Sequence, residues 1–166
     1  MNEKGEVIEI NAVRFVRTLR GPVERVWSYL TECGKLAAWF GEDGRIEPRE
    51  GGTIWFMGGH IRGVVTAWKP CRRLAYTWNV FDPGESESRY PETYLTFELE
   101  PNGSDVNLTL FHLPVPERFS LQTRMGWHTF LDMLQAVVDG REAESREVCM
   151  NRNAALYGVD LKNLAR

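Results

Sequence analysis

The sequence predicts one α+β domain in which a curved antiparallel sheet of about six or seven strands is covered by a single long helix. Three observations carry that prediction. Residues 118–138, RFSLQTRMGWHTFLDMLQAVV, place Trp127, Leu131, Leu134 and Val138 at i, i+4, i+7 and i+11, with Phe130 and Val137 on the flank: one wide apolar stripe. Upstream, Tyr94–Glu100 and Asp105–Leu113 alternate apolar with polar residues at period two, as half-buried strands do. Glycine pairs and prolines recur between the short apolar runs, which is hairpin punctuation. No helical hairpin flanks the long helix, so its stripe must cover a sheet, and that arrangement can enclose a cavity.

In chain order, residues 6–19 read as a first strand with apolar residues at both parities, from a bulge or from burial on two faces. Gly21-Pro22 breaks it, and Pro22 suits the first turn of a helix bearing Val23, Val26, Trp27 and Leu30. A second helix of two turns is expected over Lys35–Phe40, stopped by Gly41. Strands follow in RIEP, TIWFM, HIRGVVTAW and RRLAYTWNV, the last with Leu74, Tyr76, Trp78 and Val80 on one face. Residues 82–91 form a polar loop, Pro101-Asn102-Gly103 a turn, and Pro114 and Pro116 end the sheet. Residues 1–140 are the expected domain. Residues 141–166 are its helical extension, where Val148, Leu156, Leu161 and Leu164 could support one or two peripheral helices or a packing arm for a second subunit.

Composition narrows the function. A net charge of −3 offers no basic field for nucleic acid or anionic membrane. No run approaches the length of a membrane span, so no membrane insertion is expected. Three cysteines without CxxC spacing, behind an N-terminus without an apolar leader, suit a reducing cytoplasm. No HExxH, Cys-His cluster, GxSxG or phosphate-binding glycine loop is present, so neither metal, cofactor nor catalytic nucleophile is expected.

Taken together, these segments resemble the START-like, Bet v 1-like (SRPBCC) superfamily of helix-grip folds. The similarity is closest to bacterial relatives of the C-terminal domain of the Hsp90 ATPase activator. It is carried by the first strand running into Pro22-Val23-Glu24-Arg25-Val26-Trp27, by Leu36–Gly41 with Trp39-Phe40, and by Gly51-Gly52. Gly63-Val64-Val65 leading into Pro70, Leu74 through Trp78, Thr96-Phe97-Glu98-Leu99, and Gly126-Trp127 complete it, over roughly residues 8–139. The resemblance implies a curved seven-stranded sheet gripping the last helix around a hydrophobic cavity. Members bind or transform lipids, polyketides, steroids and other apolar molecules.

The leading expectation is therefore a binding protein for a small hydrophobic molecule held between helix and sheet. Expected wall residues are Trp39, Trp55, Trp78 and Phe97, then Leu99 and Leu108, then Trp127, Phe130, Leu131 and Leu134 on the helix. Tyr76 and His112, polar residues at inward parity, would orient the ligand. An enzyme of aromatase/cyclase or hydrolase type using His112 or Tyr76 as acid/base ranks second, and no catalytic residue is assigned. Third comes a chaperone-associated or self-associating module, a homodimer formed through the edge strand or the tail. His60 and His128 read as solvent-facing, and Arg14 and Arg62 as pointing outward.

Overall fold

The computed structural model describes residues 3–41 and 43–166. A strand β1 (Val13–Arg20) leads to helices α1 (Val23–Thr31) and α2 (Cys33–Leu36). Six strands follow: β2 (Arg45–Ile46), β3 (Thr53–Phe56), β4 (Ile61–Lys69), β5 (Arg73–Val80), β6 (Thr93–Asn102) and β7 (Asp105–Leu113). Helices α3 (Ser120–Val138) and α4 (Arg146–Tyr157) close the chain. The strands form one antiparallel sheet in the order β1-β7-β6-β5-β4-β3-β2, so the two edges are β1 and the two-residue β2. No described helix is long and apolar enough to cross a membrane.

The alternation read in β6 and β7 becomes burial. Leu95, Phe97, Leu99, Val106, Leu108 and Leu110 are all buried, and they meet across the strands as Phe97 opposite Leu110 and Leu99 opposite Leu108. The α3 stripe lies on this face, with Trp127, Leu131, Leu134 and Val138 at most 3% exposed. Each such side chain contributes roughly 1.5–3 kcal/mol by leaving water. Between β4 and β5 the register slips between Val65 and Ala67, a bulge of the kind that bends a sheet.

Three elements differ from expectation. β1 begins at Val13, not residue 6: its partner β7 ends at Leu113 before Pro114, so no strand among the described residues pairs with residues 6–10. Val7, Ile8 and Ile10 are 99%, 69% and 54% exposed. The second helix spans Cys33–Leu36, and Ala37–Phe40 follow as turns that still bond back, Phe40 N–H to Leu36 C=O at 2.8 Å. Pro22 is the residue before α1, not its first turn.

The tail is a cover for its own chain. α4 starts at Ser145, whose hydroxyl accepts from Val148 N–H, and stops at Gly158 in the left-handed region with φ 67°. It packs on the side of α3 away from the sheet, so Met125, Thr129, Met133 and Ala136 are buried there. Val148 and Leu156, expected to support the packing, face solvent; Cys149, Asn153 and Ala154 are buried instead. The side-chain amide of Asn153 donates to Thr129 Oγ1 and Asp132 Oδ2, both at 3.2 Å. Gln122 holds Ala165 by two hydrogen bonds, of 2.9 and 3.2 Å.

Candidate functional site

One cross-strand row of inward side chains sets the site. Val65, Tyr76, Leu95, His112 and Val13 lie opposite one another on β4, β5, β6, β7 and β1, and all are buried. Tyr76 and His112 are two strands apart, which puts their backbones about 10 Å from each other. They therefore share one interior, on the face that α3 covers.

Aromatic rings fill the space between that row and the helix. Phe40 is the hub: its ring centroid lies 4.8 Å from Phe56, 4.9 Å from Trp39 and Phe130, 5.9 Å from Trp127 and 6.0 Å from Trp78. Tyr76 continues the cluster to Phe56 and Phe97 at 5.6 and 6.4 Å. Edge-to-face and tilted contacts of this kind stabilise by about 0.5–1.5 kcal/mol each beyond area burial. The interior expected as a hollow is, in this structure, occupied by these rings. Trp78, Val80, Phe130 and Met57 are only partly buried, and they mark the end at which the interior approaches solvent.

His112 joins three elements. Trp127 Nε1–H on α3 donates to His112 Nδ1 at 3.0 Å, and Nε2 lies 2.8 Å from Thr93 Oγ1. The Thr93 hydroxyl in turn donates to Trp78 C=O at 2.9 Å. An Nδ1 that accepts carries no proton, so the proton sits on Nε2 and the ring is neutral. Burial pushes its pKa down to about 4. Both ring nitrogens are committed to the fold, and neither is left to exchange a proton with a guest.

Tyr76 is the opposite case. It is 2% exposed, yet its hydroxyl has no hydrogen-bond partner among the described residues, and burial alone raises its pKa far above the ordinary phenol value. Among the described residues no fully enclosed side-chain oxygen lacks a partner, so the Tyr76 oxygen keeps a small accessible surface. A neutral phenol there can donate one hydrogen bond to a carbonyl or hydroxyl brought against it.

Eleven of the twelve expected wall and orienting residues are on this interior; Trp55 is not. Ile54 and Phe56 take the inward parity of β3, which turns Trp55 to the outer face between the guanidinium groups of Arg45 and Arg62, 5.6 and 4.7 Å away. Phe56 and Phe40 are the members that sequence reasoning left out of the site. The parity of TIWFM and the turn after α2 were the available signals. Trp39 is inside, its Nε1–H donating to Tyr29 C=O at 2.8 Å.

The other candidates resolve simply. His60 is exposed, and Arg62 lies on the outer face over Trp55 and Phe81. Arg14 points outward over Phe111. His128, expected in solvent, is half-buried against Phe15, Tyr157 and Asp132 because α4 covers that side. Among the described residues no group of three His, Cys, Asp or Glu side chains could hold a metal ion. Two surface clefts, of about 540 and 450 Å³, lie elsewhere: one between α3 and α4 around Asp132, Glu144 and Arg152, the other beside Pro22 and Ser104.

A seven-stranded antiparallel sheet wound against a long C-terminal helix places the protein in the helix-grip class of START-like, Bet v 1-like domains. The family described as "Activator of Hsp90 ATPase homolog 1-like protein" matches residues 20–139, and the chain belongs to it. No curated protein matches the sequence. Solved structures with the same fold include CalU16 from Micromonospora echinospora, at TM-score 0.70 and 23% identity over 89% of this chain and 86% of that one. A Bordetella parapertussis protein, BPP1335, aligns at TM-score 0.70 and 24% identity over 99% and 93%. The Aha1 dimer from Colwellia psychrerythraea aligns at TM-score 0.63 and 20% identity over 78% and 96%.

Proposed function

We infer that this protein binds a small, uncharged apolar molecule, best an aromatic one, between α3 and the sheet. The observation that carries this reading is the Tyr76 hydroxyl, placed deep among rings without a hydrogen-bond partner among the described residues. A hydrogen bond from this nearly buried hydroxyl to a ligand carbonyl or hydroxyl contributes about 0.5–1.5 kcal/mol net. The family fold supports the same reading. The guest enters at the Trp78–Phe130 end and takes its place as Phe40 and Trp78 turn aside. With His112 neutral and hydrogen-bonded on both sides, orientation falls to Tyr76, and no acid/base step is assigned.

A thermal-shift panel of neutral aromatic polyketides, sterols and fatty acids tests it. A hundredfold excess over Kd adds about 2.7 kcal/mol, a rise of about 5 °C or more for a domain of this size. The Tyr76→Phe variant should be as stable as the parent without ligand, or more so, and should lose most of the ligand-induced rise. Absence of any shift across all three apolar classes would overturn the reading.

A further inference from the structure

Two segments of opposite character adjoin in sequence, one outside every strand and the other an edge of the sheet. Residues 3–12 lie outside every strand and are exposed throughout, with three glutamates against one lysine and apolar Val7, Ile8 and Ile10. β1 is a sheet edge that pairs only with β7, carrying Arg14, Arg17 and Arg20, no acidic residue, and Val16 at 48% exposure. An edge strand with its backbone groups free is a template for another strand. The line of β1 already extends past Val13, since Asn11 C=O accepts Val115 N–H at 2.8 Å on the β7 side. Backbone groups of alternate residues therefore face away from β7.

We propose that residues 6–20 pair with the same residues of a second copy, antiparallel about a twofold axis at Val13, joining two seven-stranded sheets edge to edge. The register follows from charge. With Val13 opposite its own copy, Glu6 falls opposite Arg20, Glu9 opposite Arg17 and Ile10 opposite Val16, and each pairing occurs twice. A residue and its partner then have the same parity, so both copies keep their α3 helices on one side of the continuous sheet. A register centred three residues further on, at Val16, sets Arg14 near the copy's Arg17 and Arg20 and leaves the glutamates unmatched. The tail offers no competing arm, because α4 is spent on its own α3. This surface is separate from the ring-filled interior, so the pairing stands or falls independently of the ligand reading.

Sedimentation of the full chain across a dilution series is the test. The parent should show twice the 19.1 kDa chain mass at high concentration and dissociate on dilution, more readily as salt rises. Glu6→Arg and Arg20→Glu should each weaken the dimer at least about tenfold, because attraction becomes repulsion at two symmetric contacts. The double variant E6R/R20E should restore it. Arg20→Glu also sets a carboxylate opposite Asp105 within the chain, an effect the double variant leaves in place, so restoration reports the contact between copies. A monomer at every concentration overturns the proposal, as does a dimer indifferent to either single reversal. Failure of the double variant to recover overturns the register.

Discussion

At His112 a neutral ring is held by a donor on one nitrogen and an acceptor on the other, and acid must break the first of these bonds. Its folded pKa, about 4, lies below the 6.5 of the unfolded chain. The unfolded state therefore binds the extra proton first. Stability is fully present above pH 6.5 and falls as pH drops toward 4, by roughly 3 kcal/mol for a shift of this size. His128 adds to the same trend: burial is the largest cause of its lowered pKa, with Arg17 and Arg152 adding to it and Asp132 opposing. Urea unfolding at pH 7 and pH 4.5 separates the two residues. His112→Phe should cost about 2 kcal/mol at pH 7, leaving Trp127 N–H unpaired, and should flatten the acid slope. An acid slope equal to the parent's would remove the role assigned to His112. Sequence parity placed this histidine inward, but nothing in the sequence announced that Trp127 and Thr93 would occupy both its nitrogens, since those contacts depend on how α3 seats on the sheet.

Among the elements, the β4–β5 ribbon is the least tolerant. A Cβ on Gly63 would sit 1.9 Å from Thr77 C=O, while the Thr77 hydroxyl accepts from Val64 N–H at 2.8 Å beside the bulge. Gly63→Ala should therefore destabilise by at least about 2 kcal/mol in urea unfolding, and a neutral result would mean that the two strands can separate locally. The same comparison shows where pattern reading succeeds. β6 and β7 were legible because one face is wet and the other dry, which writes itself as alternation. The second buried face of α3 was not. Met125, Thr129, Met133 and Ala136 mix with polar neighbours, and the partner helix meets them through Asn153 and small residues, not through an apolar stripe. Residues 6–10 misled for the reverse reason: they have the composition of a strand, but among the described residues no strand lies alongside them.

For the molecule as a whole, the span recognised by family similarity and the span that folds do not coincide. Residues 20–139 omit all of β1 but its last residue and all of α4. A fragment cut at those limits should expose the far side of α3 and the β7 edge, bind a hydrophobic dye strongly and aggregate, where the full chain should do neither. A well-folded fragment, unfolding cooperatively, would show the outer layers to be dispensable. The layers also bear on what the interior can accept. α3 is pinned on its far side by Asn153 and Ala165, so room for a guest must come from the rings and the strand ends, not from the helix lifting away.

The hold of Gln122 on Ala165 carries a practical corollary. Ala165 is fastened to the opening turn of the helix that roofs the aromatic cluster, so any pull on the chain at that point would tug on the roof itself. An endopeptidase nicking the stretch between Gly158 and Lys162 would slacken the helix start while every residue of the sheet stayed intact.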